Sequence, residues 1–380
     1  MEKINSKLNT AVNSSLKKLC LLDYDFDELG GLIEGLGEPK FRVKQLYDWV
    51  ALGASFDEMS NIPLIMRNKL SEISVDKPLE IVKSLKANDG SIKFLFKLND
   101  DEIIEGVFLP NNYGNTICIS TQVGCRMGCV FCSSGENGLS RNLTAGEIVG
   151  QYIEVEKFIA SQNSKTAIVI ASTSTKKIAR QISNIVFMGS GEPLDNYDNT
   201  VKAIRMFNYT NGLNISSRNI SLSTSGLVDK IDRLSDENIS ITLSLSLHAT
   251  LDEARKQLMP IAKKYSIVET IKALKNYFDK TGRRVCLEYV LISGLTDTHF
   301  DIERLAKITK GFSCHVNLIN LNNNRNKNLQ AASKLKAQNF LEKLTKLGVS
   351  ASLRRSYGSE VFGACGQLRG SVVNAKNQEE

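Results

Sequence analysis

Short runs of apolar residues recur from about residue 115 onwards, and stretches with helical spacing separate them. The runs that predict strands are 116–120, 184–188, 219–223, 241–247, 285–292 and 315–321. The clearest helical stretch is 144–158, where Thr144 and Glu147 have the spacing of a capping box. Strands that alternate with helices favour a parallel sheet with right-handed crossovers. Six such units predict an α/β fold, an open partial (β/α)6 barrel over residues 111–360.

Residues 1–80 have a different pattern and predict an N-terminal helical accessory domain. Apolar positions have helical spacing over 25–33 and again over 41–50, where Trp49 is expected to anchor the second helix in a core. Three basic residues, Lys40, Arg42 and Lys44, lie along that helix. Such a basic face suits contact with RNA, although solubility explains it equally well.

Residues 81–110 predict a short β extension between the helical domain and the barrel. Two apolar alternations, over 92–98 and 103–109, flank the polar sequence Asn99-Asp100-Asp101. This arrangement is typical of a β-hairpin.

Composition narrows the class of protein without identifying it. The chain has 380 residues, 42% of them hydrophobic and 23% charged, as in an ordinary globular protein. No apolar run approaches the roughly 18 residues of a membrane span, and the polar N-terminus does not resemble a secretory signal. Eight cysteines in a chain of this length do not indicate a disulfide scaffold, so we expect a cytoplasmic protein. The net charge of +7 is compatible with a polyanionic partner.

The most informative chemistry lies in the segment GCRMGCVFC, where Cys125, Cys129 and Cys132 form a C-x3-C-x2-C pattern. Three thiolates on one loop can hold three corners of a [4Fe-4S] cluster and leave the fourth iron open to a small molecule. This spacing resembles that of the radical S-adenosylmethionine (SAM) enzymes. A zinc knuckle completed by a distant ligand, or buried cysteines at chance spacing, would also fit the loop alone.

Several unusual polar residues follow the predicted strands. The cysteine loop and the segment 189–193 (GSGEP) follow the first two strands, and Ser223, His248 and Asn322 lie at or just after later ones. Each has an ordinary structural explanation, such as a turn or a satisfied backbone group. Because the carboxyl ends of parallel strands share one rim, we expect these residues to meet there.

The resemblance extends well beyond the cysteine loop. The segments that carry it, in chain order, are GEPKFRVKQLYDW, CISTQVGCRMGCVFC, GSGEPL, LSTSG, SLHA, LMPI, HVNLINLN and ACGQL. From about residue 20 to 370 the chain resembles the RlmN family of dual-specificity ribosomal and transfer RNA adenine-C2 methyltransferases. The barrel would then be a partial radical SAM barrel, followed by a C-terminal segment, 361–380, that carries Cys365 and a polar tail.

The resemblance implies two cofactors, a [4Fe-4S] cluster and SAM. The cluster ligands would be Cys125, Cys129 and Cys132. The implied SAM contacts are Gly191, Glu192, Ser223, Ser246, Leu247, His248 and Asn322. Ser190 stands where the family usually has a glycine or another small residue.

The resemblance also implies catalytic roles for Cys365, Cys118 and Glu105. Cys365 would accept a methyl group from one SAM, and a radical made from a second SAM would activate that methyl group for addition to adenine. Cys118 would release the product by forming a disulfide with Cys365, and Glu105 would accept a proton. By their sequence context alone, the cysteines would be small buried residues and Glu105 an edge-strand carboxylate. The other cysteines, Cys20, Cys286 and Cys314, match no family motif and are interpreted as structural.

The implied substrates are 23S rRNA, at an adenosine of the peptidyl transferase centre, and adenosine 37 of tRNAs. An electron donor such as flavodoxin or ferredoxin would be a further partner, and we expect a monomer with no membrane association. The alternatives are the carbon-8 methyltransferases of the sister family, a radical SAM enzyme for a small molecule, and a non-catalytic zinc RNA-binding protein. The polar stretch 160–181 is longer than the family needs and is interpreted as a mobile surface loop.

Overall fold

The computed structural model describes residues 18–162, 180–322 and 328–368. Its strands are β1 (Leu19–Cys20), β2 (Ser74–Val75), β3 (Leu79–Lys86), β4 (Ile92–Leu98), β5 (Ile103–Leu109), β6 (Asn115–Cys118), β7 (Gln122–Gly124), β8 (Leu139–Asn142), β9 (Ile182–Phe187), β10 (Ile220–Thr224), β11 (Thr242–Ser246), β12 (Val285–Leu291), β13 (Cys314–Asn320) and β14 (Ala351–Arg354). Its helices are α1 (Phe26–Gly35), α2 (Phe41–Ala51), α3 (Leu64–Ile73), α4 (Ala145–Gln162), α5 (Tyr197–Asn208), α6 (Val228–Ser235), α7 (Asp252–Leu258), α8 (Ile267–Thr281), α9 (His299–Ile308) and α10 (Lys334–Lys346).

One large sheet organises the chain, in the strand order β14-β13-β12-β11-β10-β9-β6-β5-β4-β3. In this sheet β6, β9, β10, β11, β12, β13 and β14 pair in parallel, each with its neighbour in the order given. The strands β3, β4, β5 and β6 pair antiparallel. All six predicted strands are present, as β6 and β9 to β13, with ends within two residues of the prediction. Within the described residues the edge strands β3 and β14 do not pair with each other, so the sheet stays open. The predicted α/β fold with a partial barrel is therefore confirmed.

Two strands of this sheet were not predicted. β14 adds a seventh parallel strand beside β13, and β3 turns the predicted hairpin into a three-stranded antiparallel extension. Both lie at edges of the sheet. Most side chains of β3 are exposed or half-buried, and all four of β14 are half-buried. Strands at this level of burial lack the alternation of apolar and polar residues by which strands are recognised in a sequence.

Helix α4 begins at the predicted capping box. The Thr144 hydroxyl accepts a hydrogen bond from Glu147 N (3.1 Å), and the Glu147 carboxylate accepts one from Thr144 N (2.9 Å). The Asp23 carboxylate accepts a further bond from Gly146 N (2.8 Å), which ties the N-terminal helical region to the start of this helix. Most of the predicted loop 160–181, namely residues 163–179, lies outside the described residues.

The N-terminal region is helical, as predicted, and α1 to α3 pack around an apolar core. Trp49 is buried in α2, and its indole Nε1 donates to the side-chain oxygen of Asn61 at 2.6 Å. The basic residues of the same helix have local partners: Lys44 pairs with Asp48, and Arg42 donates to Gln45. These contacts account for part of the predicted basic face without any RNA.

A single apolar core runs through the helical region, the antiparallel extension and the barrel, with Leu29, Phe94 and Leu222 as representatives of the three parts. Phe94 of β4 is fully buried between the ring of Phe96 (centroids 6.1 Å apart) and the ring of Phe158 in α4 (5.1 Å). The extension is thus packed onto the barrel through aromatic contacts. Among the described residues, no helix combines the length and apolarity that crossing a bilayer requires.

Truncation of Phe94 tests this packing. We expect Phe94→Ala to lower the free energy of unfolding by about 3–5 kcal/mol, because it removes buried area and leaves a cavity between β4 and α4. Urea unfolding followed by circular dichroism measures the change, with Val82→Ala as control because Val82 of β3 is 46% exposed. A loss below about 1 kcal/mol in Phe94→Ala would show that the extension and the barrel do not share a core.

Candidate active site

The three cysteines lie on a loop between β7 and β8, which pair antiparallel and close its base. Cys125 N donates to Gly138 O (2.8 Å) across this base, and Cys132 N donates to Cys129 O (3.1 Å) within the loop. On one side Val130 N donates to Leu258 O (3.0 Å), and on the other Ser133 N donates to Gly366 O (2.8 Å). The loop is therefore held between α7 and the C-terminal segment.

A cavity of about 170 Å³ opens at the carboxyl rim of the parallel strands, next to this loop. The predicted site residues that line it are Cys125, Cys129, Cys132, Gly191, Glu192, Ser223, Ser246, His248, Asn322 and Cys365. Leu247 is not among the lining residues, since its side chain is fully buried below the rim. Most of the predicted site residues therefore lie together at one rim of the sheet, as the order of the strands led us to expect.

Glu192 is 3% exposed, and its carboxylate accepts hydrogen bonds from the backbone N–H groups of Ser225 (2.7 Å) and Leu194 (3.1 Å). Burial raises the pKa of Glu192, and these hydrogen bonds oppose the rise. The preceding Gly191 has φ +106°, and a Cβ there would lie 2.7 Å from the Gln122 side chain. A glycine is required at this position for both reasons.

His248 occupies a strained left-handed conformation, with φ +56°. Its ring stacks edge-on against Phe131, with centroids 4.8 Å apart, and Nδ1 accepts a hydrogen bond from Val290 N at 3.2 Å. Burial and the nearby Arg255 lower the pKa of His248 to about 3. The imidazole is therefore neutral at physiological pH, and with Nδ1 accepting, its proton lies on Nε2.

A second, smaller cavity of about 40 Å³ adjoins the first, and Cys118, Cys365 and Arg354 line it. Cys365, Asn322 and Arg354 border both cavities. Asn322 Nδ2 donates to the carbonyl oxygen of Cys365 (3.1 Å), so this predicted SAM contact also holds the cysteine backbone. Cys365 is exposed, whereas Cys118 is buried at the end of β6.

Glu105 is placed differently from the other predicted catalytic residues. Its side chain is 1% exposed and forms an ion pair with Lys93 Nζ at 2.8 Å. It does not appear in the lining of either cavity. Lys93 also donates to Phe362 O (3.2 Å) in the C-terminal segment, so it links Glu105 to the chain that carries Cys365. The role of Glu105 stays a prediction.

A larger cavity, of about 350 Å³, lies between the N-terminal helices and α5. Its charged residues pair with one another, as in Arg205 with Glu237 (2.7 Å) and Arg233 with Asp198 (2.8 Å). None of the predicted site residues borders it. The cavity at the carboxyl rim is therefore the candidate active site.

Similar proteins agree with this placement. Residues 119–306 match the family model of the radical SAM superfamily, and residues 19–75 match that of the ribosomal RNA large subunit methyltransferase N-terminal domain. Probable dual-specificity RNA methyltransferases RlmN from Clostridium tetani and Alkaliphilus oremlandii are each 44% identical, covering 94% and 93% of this chain and 98% of their own. This chain belongs to the RlmN family.

A solved structure supports the same assignment. A radical SAM methyltransferase from Sphaerobacter thermophilus superposes with a TM-score of 0.85 and 37% identity, over 93% of this chain and 99% of the other. The predictions of a radical SAM methyltransferase and of its cofactors, a [4Fe-4S] cluster and SAM, are therefore confirmed. The boundaries predicted at residues 80, 110 and 360 stay predictions, as do the individual site residues.

The donor set fits the cluster of this family. Cys125, Cys129 and Cys132 line the same cavity, and the nearby thiols of Cys125 and Cys132 contribute to the raised pKa of Cys129. In the part of the chain that the structure describes, no three His, Cys, Asp or Glu side chains are arranged to hold a metal ion. Each iron of a cubane takes its own thiolate, so the three sulfur atoms need not converge on one point. Glu192, which lines the same cavity, would be one of the residues that hold SAM.

The sequence interpretation missed Arg354 and Glu288. Arg354 stands next to Arg355, and such basic pairs are ordinarily solvated. Its Nη1 nevertheless lies 3.4 Å from the Glu288 carboxylate, where both residues border the main cavity. Glu288 is 3% exposed and is a charged residue in the otherwise apolar strand VCLEYVL. That isolated charge was the signal that could have identified it.

The environments of Cys118 and Cys365, the two cysteines predicted to be catalytic, predict very different reactivities. Burial, with a contribution from Cys365, raises the pKa of Cys118 to about 12. At pH 8 we therefore expect iodoacetamide to modify the exposed Cys365 well before Cys118, because only the thiolate reacts. The Cys118 rate should rise about tenfold per pH unit up to about pH 11, as long as the chain stays folded.

Peptide mass spectrometry of the reduced, metal-free protein measures both rates. Cys365→Ser is the control, since Cys118 should remain equally slow when the competing thiol is gone. Equal alkylation of Cys118 and Cys365 in folded protein at pH 8 would contradict the burial of Cys118.

Proposed function

We propose that the protein methylates carbon 2 of an adenosine in 23S rRNA, and of adenosine 37 in tRNAs, through a methyl group carried on Cys365. The observation that carries this proposal is the position of Cys365 between two cavities. One cavity holds the cluster cysteines and the implied SAM contacts, and the other holds Cys118. A methyl carrier has to meet the radical source on one side and the resolving thiol on the other.

The target atom explains why such a carrier is needed. Carbon 2 of adenine lies between two ring nitrogens and is electron-poor, so it does not attack the electrophilic methyl group of SAM. When bound, the cluster and SAM supply a 5′-deoxyadenosyl radical that can remove a hydrogen atom from an unactivated methyl group. The residues of the chain then have to position that methyl group and release the product.

In the proposed reaction Cys365 carries the methyl group and Cys118 releases the product. The Cys365 thiolate takes the methyl group of a first SAM, and S-adenosylhomocysteine leaves. After hydrogen abstraction, the carbon on Cys365 would bond to carbon 2 of adenine. The adduct would then lose its ring proton and one electron, for which the oxidised iron–sulfur cluster would be the acceptor. Cys118 then attacks the sulfur of Cys365, so that the carbon–sulfur bond breaks, the new methyl group takes up a proton, and a disulfide remains for later reduction.

Strand pairing supports the proposed role of Glu105 as the acceptor of the ring proton. Val107 of β5 is directly paired with Cys118 of β6, and Glu105 lies two residues away on the same face of the same strand. The carboxylate is thus near the resolving thiol, although Lys93 is its partner in the structure. Movement of the C-terminal segment would loosen Lys93, because Lys93 also holds Phe362 O.

The remaining partners are proposed from the same family membership. A one-electron donor such as flavodoxin or ferredoxin would reduce the cluster, and the enzyme would act as a cytoplasmic monomer. All eight cysteines are free thiols, which agrees with a reducing compartment. The name of the N-terminal family model supports ribosomal RNA as a substrate class. The relatives are named dual-specificity RNA methyltransferases, and for the second specificity we propose transfer RNA.

Nucleoside mass spectrometry of both RNA pools tests this function. We expect 2-methyladenosine to disappear in a strain without this gene and to return with the wild-type protein. Cys365→Ala should not restore it, while that purified variant keeps wild-type iron content, because Cys365 carries the methyl group and binds no iron. Detection of 8-methyladenosine would favour the sister activity, and loss of iron from Cys365→Ala would refute this division of roles.

Removal of Cys118 should separate attack from release. We expect Cys118→Ala to accumulate a covalent adduct between the protein and RNA, since the carbon–sulfur bond on Cys365 can no longer be broken. Denaturing gels of the variant, with Cys286→Ala as a control for a cysteine outside both cavities, detect the adduct. Free, unmodified RNA as the sole product of Cys118→Ala would contradict the resolving role.

A further inference from the structure

Arg255 is a fully buried cation in helix α7, at 0% exposure. Its guanidinium donates to three carbonyl oxygens at the carboxyl ends of β10 and β11: Nε to Leu247 O (3.1 Å), and Nη2 to Ser225 O (2.7 Å) and Ser246 O (3.2 Å). The side chain therefore crosses directly beneath the rim on which the implied SAM contacts lie. These bonds fix its position but supply no negative charge.

The guanidinium lacks the counter-charge that a buried cation ordinarily has. Among the described residues its Nη1 has no hydrogen-bond partner, and no carboxylate lies within ion-pair distance of it. The nearest acidic residue of the helix, Asp252, accepts its own hydrogen bond from Ile267 N (2.8 Å). An unpaired buried charge costs several kcal/mol, so an anion is expected nearby in the working protein.

The cysteine loop lies against the same helix. Helix α7 contacts the loop directly, since Val130 N donates to Leu258 O at 3.0 Å and Cys129 packs on the apolar cluster that includes Ala254 and Leu258. Burial lowers the pKa of Arg255 to about 10, and Cys129 and Asp252 oppose this fall. Arg255 therefore remains charged at physiological pH, whereas the neighbouring His248 is neutral.

We propose that Arg255 is the buried counter-charge of the iron–sulfur site, where its fixed positive charge favours one-electron reduction of the cluster. A [4Fe-4S]2+ cluster with three thiolates carries one net negative charge, and reduction adds a second. A fixed positive charge beside it therefore raises the reduction potential. Arg255 would change the reduction potential of the cluster without touching a reacting atom. It is therefore a positioning residue and not a catalytic residue. This inference rests on the radical SAM cofactor and not on the proposed RNA substrate.

The test compares three variants of the full chain after anaerobic reconstitution. Arg255→Met removes the charge at similar length, and Arg255→Lys keeps it. Arg283→Met is the matched control, because Arg283 precedes β12 at the opposite, amino end of the strands and donates to Thr242. Redox titration without SAM or RNA, followed by the electron paramagnetic resonance of the reduced cluster, gives each midpoint potential. The absence of RNA separates this result from any failure of the proposed function.

We expect Arg255→Met to shift the midpoint potential to a more negative value, with Arg255→Lys close to wild type and Arg283→Met unchanged. An unshifted potential in an Arg255→Met protein of normal iron content would overturn the proposal. If that variant also lost SAM binding in a titration, Arg255 would instead hold the SAM carboxylate.

If Arg255→Met takes up no iron, the iron content and midpoint potential of Arg255→Lys decide the question. Arg255→Lys with wild-type iron and potential then supports the proposal, because charge alone restores the site. Arg255→Lys without iron, although its metal-free form melts at the wild-type temperature, overturns it, since charge would then not be the property that matters.

Discussion

Parallel pairing of the central strands is the constraint on which the site depends, because it brings every carboxyl end to one rim. Ser246 of β11 is in register with Glu288 of β12, and Glu288 with Asn317 of β13. Asn317 Nδ2 donates to the Glu288 carboxylate at 2.8 Å, and that carboxylate pairs with Arg354 of β14. A row of polar side chains thus crosses four neighbouring strands of the sheet. Hydrogen bonds along the row satisfy groups whose burial alone would be unfavourable.

A second constraint is the docking of the C-terminal segment against distant parts of the chain. Gly366 O accepts from Ser133 N beside the cluster cysteines, and Phe362 O accepts from Lys93 on the antiparallel extension. Asn322 holds the carbonyl of Cys365 between these two attachments. The antiparallel extension therefore contacts the C-terminal segment on one side, and the cysteine loop contacts it on the other. The segment that carries the exposed Cys365 lies between them.

The sequence predicted the buried strands well and the edge strands poorly. β9 to β13 are flanked on both sides by other strands, so their apolar runs are long and their ends are recognisable. β3 and β14 have a single neighbour each, and their half-exposed side chains carry no clear pattern. With β14 unrecognised, nothing in the sequence distinguishes Arg354 from a surface residue, because a basic pair outside a predicted element is usually solvated. Its ion pair with Glu288 lies across the sheet, and such a contact has no local signal.

The sequence by itself determined the cofactor chemistry and the family, because ligand spacing on one loop and short rim motifs are local properties of the chain. Cys125, Cys129 and Cys132 needed no tertiary information to suggest a cluster. Only the tertiary structure decided which distant groups meet without such a motif, such as Arg354 with Glu288 at the main cavity and helix α7 with the cysteine loop. Burial and charge compensation arise from strands and helices brought together over long separations, so they cannot be deduced from the spacing of residues along the chain.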